Sequence, residues 1–135
     1  RRFAKLSDSQ WKELTIVGSL RIRPVTFRSG TSAIDENGQE QIKEIVSSIS
    51  HYPNFRIMVK GHSGMRGDPA ANRELSRVRA EAVKRYFEVN YGMDPNRIRV
   101  MAAGSDEPLS RKSDESEREY ENRLKRVEVM LLTGK

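Results

Sequence analysis

The sequence predicts an α+β fold, a two-layer sandwich in which two helices cover one face of a small sheet. Segments whose apolar residues recur at helical spacing alternate with short segments whose apolar residues recur at every second position. The resulting order of elements is β-α-β-α-β-β, preceded by a short N-terminal extension. Because crossover connections between parallel strands are right-handed, this order places both helices on the same side of the sheet.

The length and composition fit a single domain with one modest core, since the chain has 135 residues of which 36% are hydrophobic. We predict an N-terminal extension over residues 1–19, with a short helix from about Ser7 to Leu14, and one domain over residues 20–135. No run approaches the ~20 apolar residues that span a bilayer, so we expect no membrane-spanning segment. The chain starts at Arg1 without Met or the apolar region of a signal peptide, so we expect a segment of a longer protein.

The net charge of +6 comes from 25 Lys and Arg against 19 Asp and Glu. Such an excess favours anionic polymers such as nucleic acid or cell wall. Charges of both signs are interleaved, however, as in the segment from Arg111 to Glu119, and this pattern is typical of a solvated mixed surface. We therefore expect no nucleic-acid partner.

Patterns typical of catalysis or metal binding are missing from the sequence. Zero cysteines exclude disulfides and cysteine-rich zinc sites, and the two histidines, His51 and His62, have no carboxylate at the spacing of a metal motif. Ser63 lacks both the elbow motif of a hydrolase nucleophile and an arranged base. We expect no metal, no cofactor and no enzymatic activity.

The first half of the chain predicts a strand, a helix and a second strand. The apolar residues from Leu20 to Phe27 predict the first strand, and Pro24 within it indicates an edge position or a bulge. A helix follows an N-cap at Asp35, because apolar residues then recur at helical spacing as far as Ile49. The alternation from Phe55 to Val59 predicts the second strand, which runs into a Gly-His turn.

The second half predicts a long helix and two more strands. An Asp-Pro pair at Asp68 is typical of an N-cap followed by the first helical residue, and Gly92 is placed to close this helix in a left-handed conformation. Alternating apolar residues predict a third strand over residues 98–102 and a last strand over residues 127–131. The polar stretch between them, from Gly104 to about Glu119, predicts a long loop.

The segment from Val59 to Val83 resembles the OmpA-like domain family. The resemblance rests on the run Gly61-His62-Ser63-Gly64 after a strand, followed by Asn72, Leu75-Ser76 and Arg79-Ala80 at the family's spacing. The segments Val25–Ile34 and Arg126–Glu128 also fit, so that the resemblance covers roughly residues 20 to 133. The family includes the C-terminal domain of outer-membrane protein A, the peptidoglycan-associated lipoprotein and the flagellar stator B subunit.

The resemblance implies non-covalent binding of peptidoglycan through the diaminopimelate residue of its stem peptide. In the family an Asp after the Gly-His turn and an Arg on the next helix form the site. A carboxylate suits an ammonium group, and a planar guanidinium suits a carboxylate. Arg79 occupies the Arg position. The residues expected to line the pocket are Phe27, Gly30, Thr31, His62, Gly64, Asn72, Leu75 and Arg79.

Gly64 stands where the family has its Asp, so no carboxylate can act from that position. Losing one charge-assisted hydrogen bond removes about 1.5 to 3 kcal/mol, or roughly tenfold to a hundredfold in affinity, unless another group replaces it. Asp68 could supply the charge, although its place before a proline favours helix capping. Asp106 and Glu107 are further candidates.

Two hypotheses follow from this departure. The first is a domain that binds peptidoglycan and anchors a larger envelope protein in the periplasm of a Gram-negative bacterium. The second is a degenerate OmpA-like module, lacking the family Asp at Gly64, that acts as a protein-interaction or dimerisation scaffold or binds small anions. A homodimer is compatible with both hypotheses.

Overall fold

The computed structural model describes residues 3–17 and 25–133, which include a four-stranded sheet. The strands are β1 (Thr15–Ile16), β2 (Arg56–His62), β3 (Ile98–Gly104) and β4 (Val127–Thr133). Their order in the sheet is β1-β4-β2-β3, with β2 parallel to β3 and antiparallel to β4. The short strand β1 pairs antiparallel with the outer side of β4. The predicted α+β class is therefore confirmed.

The helices begin and end at the residues whose side chains satisfy their terminal backbone groups. They are α1 (Asp8–Lys12), α2 (Glu36–Ile49), α3 (Pro69–Tyr91) and α4 (Glu117–Leu124). Asp35 accepts from the amide of the third residue of α2, and Asp68 does the same for α3. Gly92 closes α3 with a φ of 63°, a conformation that glycine adopts without steric cost. The predicted caps of both long helices are confirmed.

One hydrophobic core lies between the two long helices and one face of the sheet. It joins Ile42 and Ile45 of α2 with Val83 and Phe87 of α3, all fully buried. The sheet contributes alternate residues of its three long strands, among them Ile57, Val59, Ile98, Val129 and Leu131. Since both helices pack on the same set of strand residues, the predicted two-layer arrangement is confirmed.

The opposite face of the sheet is partly covered by the N-terminal segment. Trp11 of α1 is only 8% exposed, and the guanidinium carbons of Arg56 and Arg99 lie 5.6 and 5.9 Å from its ring centroid. Asp8 forms an ion pair with Arg99 at 3.3 Å. The short helix expected near Ser7 to Leu14 is thus present, and it packs on the sheet rather than projecting from it.

Two elements differ from the sequence prediction. The loop expected over Gly104 to Glu119 ends early, because α4 begins at Glu117, where Ser116 and Glu119 exchange the reciprocal hydrogen bonds of a capping box. The strand β1 was not predicted, since two residues are too short to show an alternating pattern. The predicted first strand falls mainly on residues 18–24, outside the described ranges, but Val25 and Phe27 at its end form isolated bridges with Val127 and Ile34.

The boundary predicted between residues 19 and 20 also lies outside the described ranges and stays a prediction. Among the helices that the structure describes, none combines the length and the apolar character needed to cross a bilayer.

Candidate functional site

A cleft of about 360 Å³ lies between α3, α4 and the turn that precedes α2. We call it the α3–α4 cleft. It is lined by Gly30, Arg66, Asn72, Leu75, Arg79, Arg118, Glu121, Asn122 and Lys125. A neighbouring cavity of about 280 Å³ shares Gly30 and Arg79 with it and adds Thr26, Phe27 and Ser29. Arg79 therefore belongs to the walls of both spaces.

Arg79 is a buried cation that is oriented by a hydrogen bond from its Nε and by an aromatic ring. It is only 6% exposed, its Nε donates to the Thr31 carbonyl oxygen at 2.7 Å, and its guanidinium carbon lies 5.0 Å from the centre of the Phe27 ring. Burial lowers the pKa of this guanidinium from its ordinary value. Among residues 3–17 and 25–133, no carboxylate forms an ion pair with Arg79 and no group accepts from its two terminal nitrogens. An acidic ligand in the cleft would supply that missing counter-charge.

Gly64 is the second residue after β2, and the space beside it is filled by the carboxylate of Glu121 from α4. A Cβ built on Gly64 would stand 2.5 Å from the Glu121 carboxyl carbon, closer than real Cβ contacts come. The two Glu121 oxygens accept from the backbone amides of Met65 and Arg66, each at 3.1 Å. The cleft therefore contains a carboxylate beside position 64, but this carboxylate comes from α4 and not from position 64 itself.

The loop between β2 and α3 is fixed by further hydrogen bonds. Asn72 donates from Nδ2 to the carbonyl oxygen of Arg66 at 2.8 Å and to that of Gly64 at 3.4 Å. The Ser63 hydroxyl donates to the Gly64 carbonyl oxygen at 2.9 Å. Asn72 thus stabilises the loop through its hydrogen bonds and also lines the cleft, as Leu75 does.

His62 lies in a separate hydrogen-bonded group rather than in the wall of the cleft. It is 2% exposed, and its Nε2 lies 2.9 Å from Oε1 of Glu128, whose second oxygen accepts from Nε of Arg126 at 2.8 Å. The His62 hydrogen bond, followed by that from Arg126, lowers the pKa of Glu128 to about 2. The side chains of His62, Glu128 and Arg126 thus lie together at the end of the sheet, beside the Gly-His turn.

The acids proposed from sequence as substitutes for the missing Asp are occupied elsewhere. Asp68 accepts from the Ala71 amide as the cap of α3. Asp106 pairs with Arg73 at 2.7 Å, and Glu107 pairs with Lys60 at 2.9 Å. None of the three lines the α3–α4 cleft.

The structure brings together most of the residues expected in the pocket, but in two groups. Gly30, Asn72, Leu75 and Arg79 line the α3–α4 cleft, whereas Phe27 lines the adjoining cavity. Thr31 contributes its carbonyl oxygen, which accepts a hydrogen bond from Arg79. Gly64 contributes no side chain, and the Glu121 carboxylate occupies the space beside it.

Apart from Arg66 in the loop before α3, the residues of the cleft that the predicted pocket did not include come from α4 and its end: Arg118, Glu121, Asn122 and Lys125. A usable signal was present in the Ser116-x-x-Glu119 pattern of a capping box, which would have indicated a helix here. That pattern does not reveal which residue of the helix meets Gly64.

The charges of the cleft are unequal. The described residues that line it include four cationic side chains, Arg66, Arg79, Arg118 and Lys125, and one carboxylate, that of Glu121. The arrangement can hold a ligand that has more carboxylates than ammonium groups. Within the part of the chain that the structure describes, His, Asp and Glu side chains form no group of three that could hold a metal ion.

Comparison with known proteins identifies the family to which the chain belongs. The sequence model of the OmpA family matches residues 26–123, which contain the turn after β2, Arg79 and all of α4 except Leu124. This match covers more than half of the chain, so the chain belongs to the OmpA family.

Individual relatives agree with that assignment. The chain is 30% identical to outer membrane porin F of Pseudomonas aeruginosa over 86 residues, which are 64% of this chain and 25% of that protein. It is 28% identical to the peptidoglycan-associated lipoprotein of Rhizobium meliloti over 64% of this chain and 48% of that protein. The chain thus spans about a quarter to a half of the length of these two relatives.

Solved structures share the fold. The C-terminal domain of Helicobacter pylori MotB superimposes with a TM-score of 0.69 and 27% identity, covering 83% of this chain and 85% of that domain. The names of the two sequence relatives refer to the outer membrane and to peptidoglycan. Neither these two names nor that of the MotB domain states an enzymatic activity.

Proposed function

We propose that this chain is a peptidoglycan-binding domain that holds the diaminopimelate residue of the stem peptide without covalent change. In this role it anchors a larger envelope protein to the cell wall, in the periplasm of a Gram-negative bacterium. The observation that supports the proposal most strongly is Arg79, a buried guanidinium that lines a cleft and has no counter-charge among the described residues.

The contacts of Arg79 suit the recognition of a carboxylate. Because Thr31 accepts from Nε and the Phe27 ring lies against the guanidinium, its terminal nitrogens remain for a forked contact with a carboxylate group. Forming that contact in a site that is already desolvated and oriented avoids much of the entropy that a free Arg side chain would lose. Arg79 therefore fits the carboxylate of a diaminopimelate side chain.

The surroundings of Arg79 support a ligand larger than a simple ion. The cleft has a volume of about 360 Å³, at the lower end of the range of roughly 300 to 1,000 Å³ that is typical of small-molecule sites. Membership of the OmpA family and a relative named peptidoglycan-associated lipoprotein point to the same ligand class. The domain needs no catalytic group for this function, so we propose that it is not an enzyme.

The excess of cations in the cleft favours a second candidate, the binding of small anions. In that case phosphate or acetate alone would occupy the site beside Arg79. The two functions can be distinguished by how strongly binding depends on salt concentration and by whether intact cell wall retains the domain.

The test is co-sedimentation with purified sacculi that contain diaminopimelate, at physiological salt. We expect the native domain to pellet and Arg79→Ala to lose roughly tenfold to a hundredfold in affinity. The matched control is Arg77→Ala, because Arg77 lies on the same helix and carries the same charge but pairs with Glu74 at the surface. A native domain that stays in the supernatant, or an Arg79→Ala variant that pellets as well as the native domain, would overturn the proposal.

A further inference from the structure

We propose that Glu121 is the residue that binds the ammonium group of the diaminopimelate side chain. The acidic half of the site would then be supplied by α4 instead of by the residue after the Gly-His-Ser turn. This inference rests on the function proposed above and assigns one half of the ligand to a residue that only the fold brings to the site.

The first line of evidence is the position of the Glu121 carboxylate. It fills the space in which a side chain on Gly64 would begin, and it lines the same cleft as Arg79. A carboxylate and a guanidinium on the walls of one cleft form a site for a zwitterion, with a separate partner for each charge.

The second line of evidence is the way in which the carboxylate is held. Its two oxygens accept one backbone amide each, from Met65 and Arg66, so the group is oriented by the loop that follows β2. A carboxylate oxygen has more than one acceptor position, so each oxygen can still accept from a ligand ammonium group. No Lys or Arg side chain within the described ranges forms an ion pair with Glu121. Its charge is therefore not neutralised by a direct internal partner.

The third line of evidence is the reason for a glycine at position 64. Gly64 does not lie in the left-handed region of backbone space, so its conformation is open to any residue. A side chain at this position would require the Glu121 carboxyl group to move, because that group lies 2.5 Å from the position of a Cβ. Gly64 and Glu121 thus form a pair, in which the glycine leaves room and the glutamate supplies the charge.

A competing explanation is that Glu121 only ties α4 to the loop at Met65 and Arg66. The two roles differ in their dependence on the ligand. A tie affects stability and the affinity for every ligand alike, whereas an ammonium-binding residue discriminates between ligands with and without the amine.

The experiment uses two synthetic stem tripeptides and isothermal titration calorimetry. One peptide ends in meso-diaminopimelate, and the other ends in 2-aminopimelate, which keeps the side-chain carboxylate but lacks the side-chain amine. We expect the native domain to prefer the first peptide by about tenfold to a hundredfold. Glu121→Gln should bind both peptides equally, at the level of the amine-free peptide.

Two further variants separate charge from packing. Gly64→Ala changes no charge but displaces the Glu121 carboxylate, so we expect it to lose the preference as Glu121→Gln does. The double variant Gly64→Asp with Glu121→Ala moves the carboxylate to position 64 and should restore the preference. Glu81→Gln is the matched control, because it makes the same charge change on the outer face of α3, where Glu81 faces Arg77. Circular dichroism shows which variants remain folded.

The outcomes distinguish this inference from the proposed function. If the native domain binds neither peptide nor sacculi, the proposed function fails, and the inference fails with it. If the native domain binds and folded Glu121→Gln keeps the full preference for the amine, the inference alone is overturned. If Glu121→Gln loses the preference for the amine-containing peptide and the double variant regains it, the result supports both the proposed function and the role of Glu121.

Discussion

The Glu121 carboxylate accepts hydrogen bonds from the two amides that follow Gly64 and occupies the space of a side chain at that position. The two residues lie far apart in the sequence, in the loop after β2 and in the middle of α4. Their contact should therefore appear as an energetic coupling between the two positions.

A double-mutant cycle in thermal or urea unfolding measures that coupling. In the native background, Gly64→Ala should destabilise the domain by about 1 kcal/mol, because the Glu121 side chain must move away and lose its hydrogen bonds to the two backbone amides. In the Glu121→Ala background the same change should be neutral or stabilising by up to about 1 kcal/mol, since alanine restricts the unfolded chain. Equal costs in the two backgrounds would show that the two side-chain positions do not meet.

The role of Asp68 can be tested separately from that of the ligand site. Because Asp68 accepts from the Ala71 amide at the start of α3, Asp68→Ala should cost about 1 kcal/mol of stability, with a range of 0.5 to 2. Its binding to sacculi should equal that of the native domain at temperatures where both are folded. Loss of binding with unchanged stability would instead make Asp68 the ammonium-binding acid.

Arg79→Lys tests whether the planar guanidinium matters beyond its charge. Lysine keeps the positive charge but cannot combine the bond to Thr31 with a forked contact to a carboxylate. We expect a loss of about tenfold in sacculus binding, measured by co-sedimentation at two salt concentrations. Native-level binding by this variant would mean that only net charge attracts the ligand.

Acid should destabilise the domain through Glu128. This carboxyl keeps its charge in the folded state until about pH 2, because His62 and Arg126 donate to it, whereas its ordinary pKa is 4.5. Between these values the unfolded state binds more protons, so stability is present above about pH 4.5 and is lost as the pH falls towards 2.

Urea unfolding at several pH values between 2 and 5 checks this prediction. One such group contributes a slope of at most about 1.4 kcal/mol per pH unit, and less here because the side chain is partly exposed to solvent. Glu128→Gln should flatten the dependence over this window. An identical slope in the variant would assign the acid sensitivity to other carboxyl groups, such as Glu115.

The sequence predicted those parts of the fold that depend on local signals. The caps at Asp35 and Asp68 and the terminating Gly92 are set by backbone groups a few residues away, so they can be read without the rest of the chain. The core-facing residues of β2 and β4 were predicted because alternation directly records burial on one side of a sheet.

The missed features depend on contacts that are distant in the sequence. Strand β1 has only two residues, and its pairing with β4 is decided by tertiary packing. Arg79 could be proposed from the sequence because it lies in the family's own pattern, whereas Glu121 lies on a helix whose start the polar composition of residues 104–119 concealed. The meeting of Glu121 with Gly64 requires the fold, since no spacing between them is fixed by a helix or a strand.

The most direct test of ligand binding by Arg79 and Glu121 is an NMR titration of the domain with the diaminopimelate stem tripeptide, following the Arg79 Nε–H signal and the amides of Met65 and Arg66. We predict saturable shifts at all three positions, with the same dissociation constant, because the ligand carboxylate meets Arg79 while its ammonium meets Glu121. Saturating peptide that leaves these signals unmoved, or moves only signals outside the α3–α4 cleft, would show that Arg79 and Glu121 do not bind the ligand.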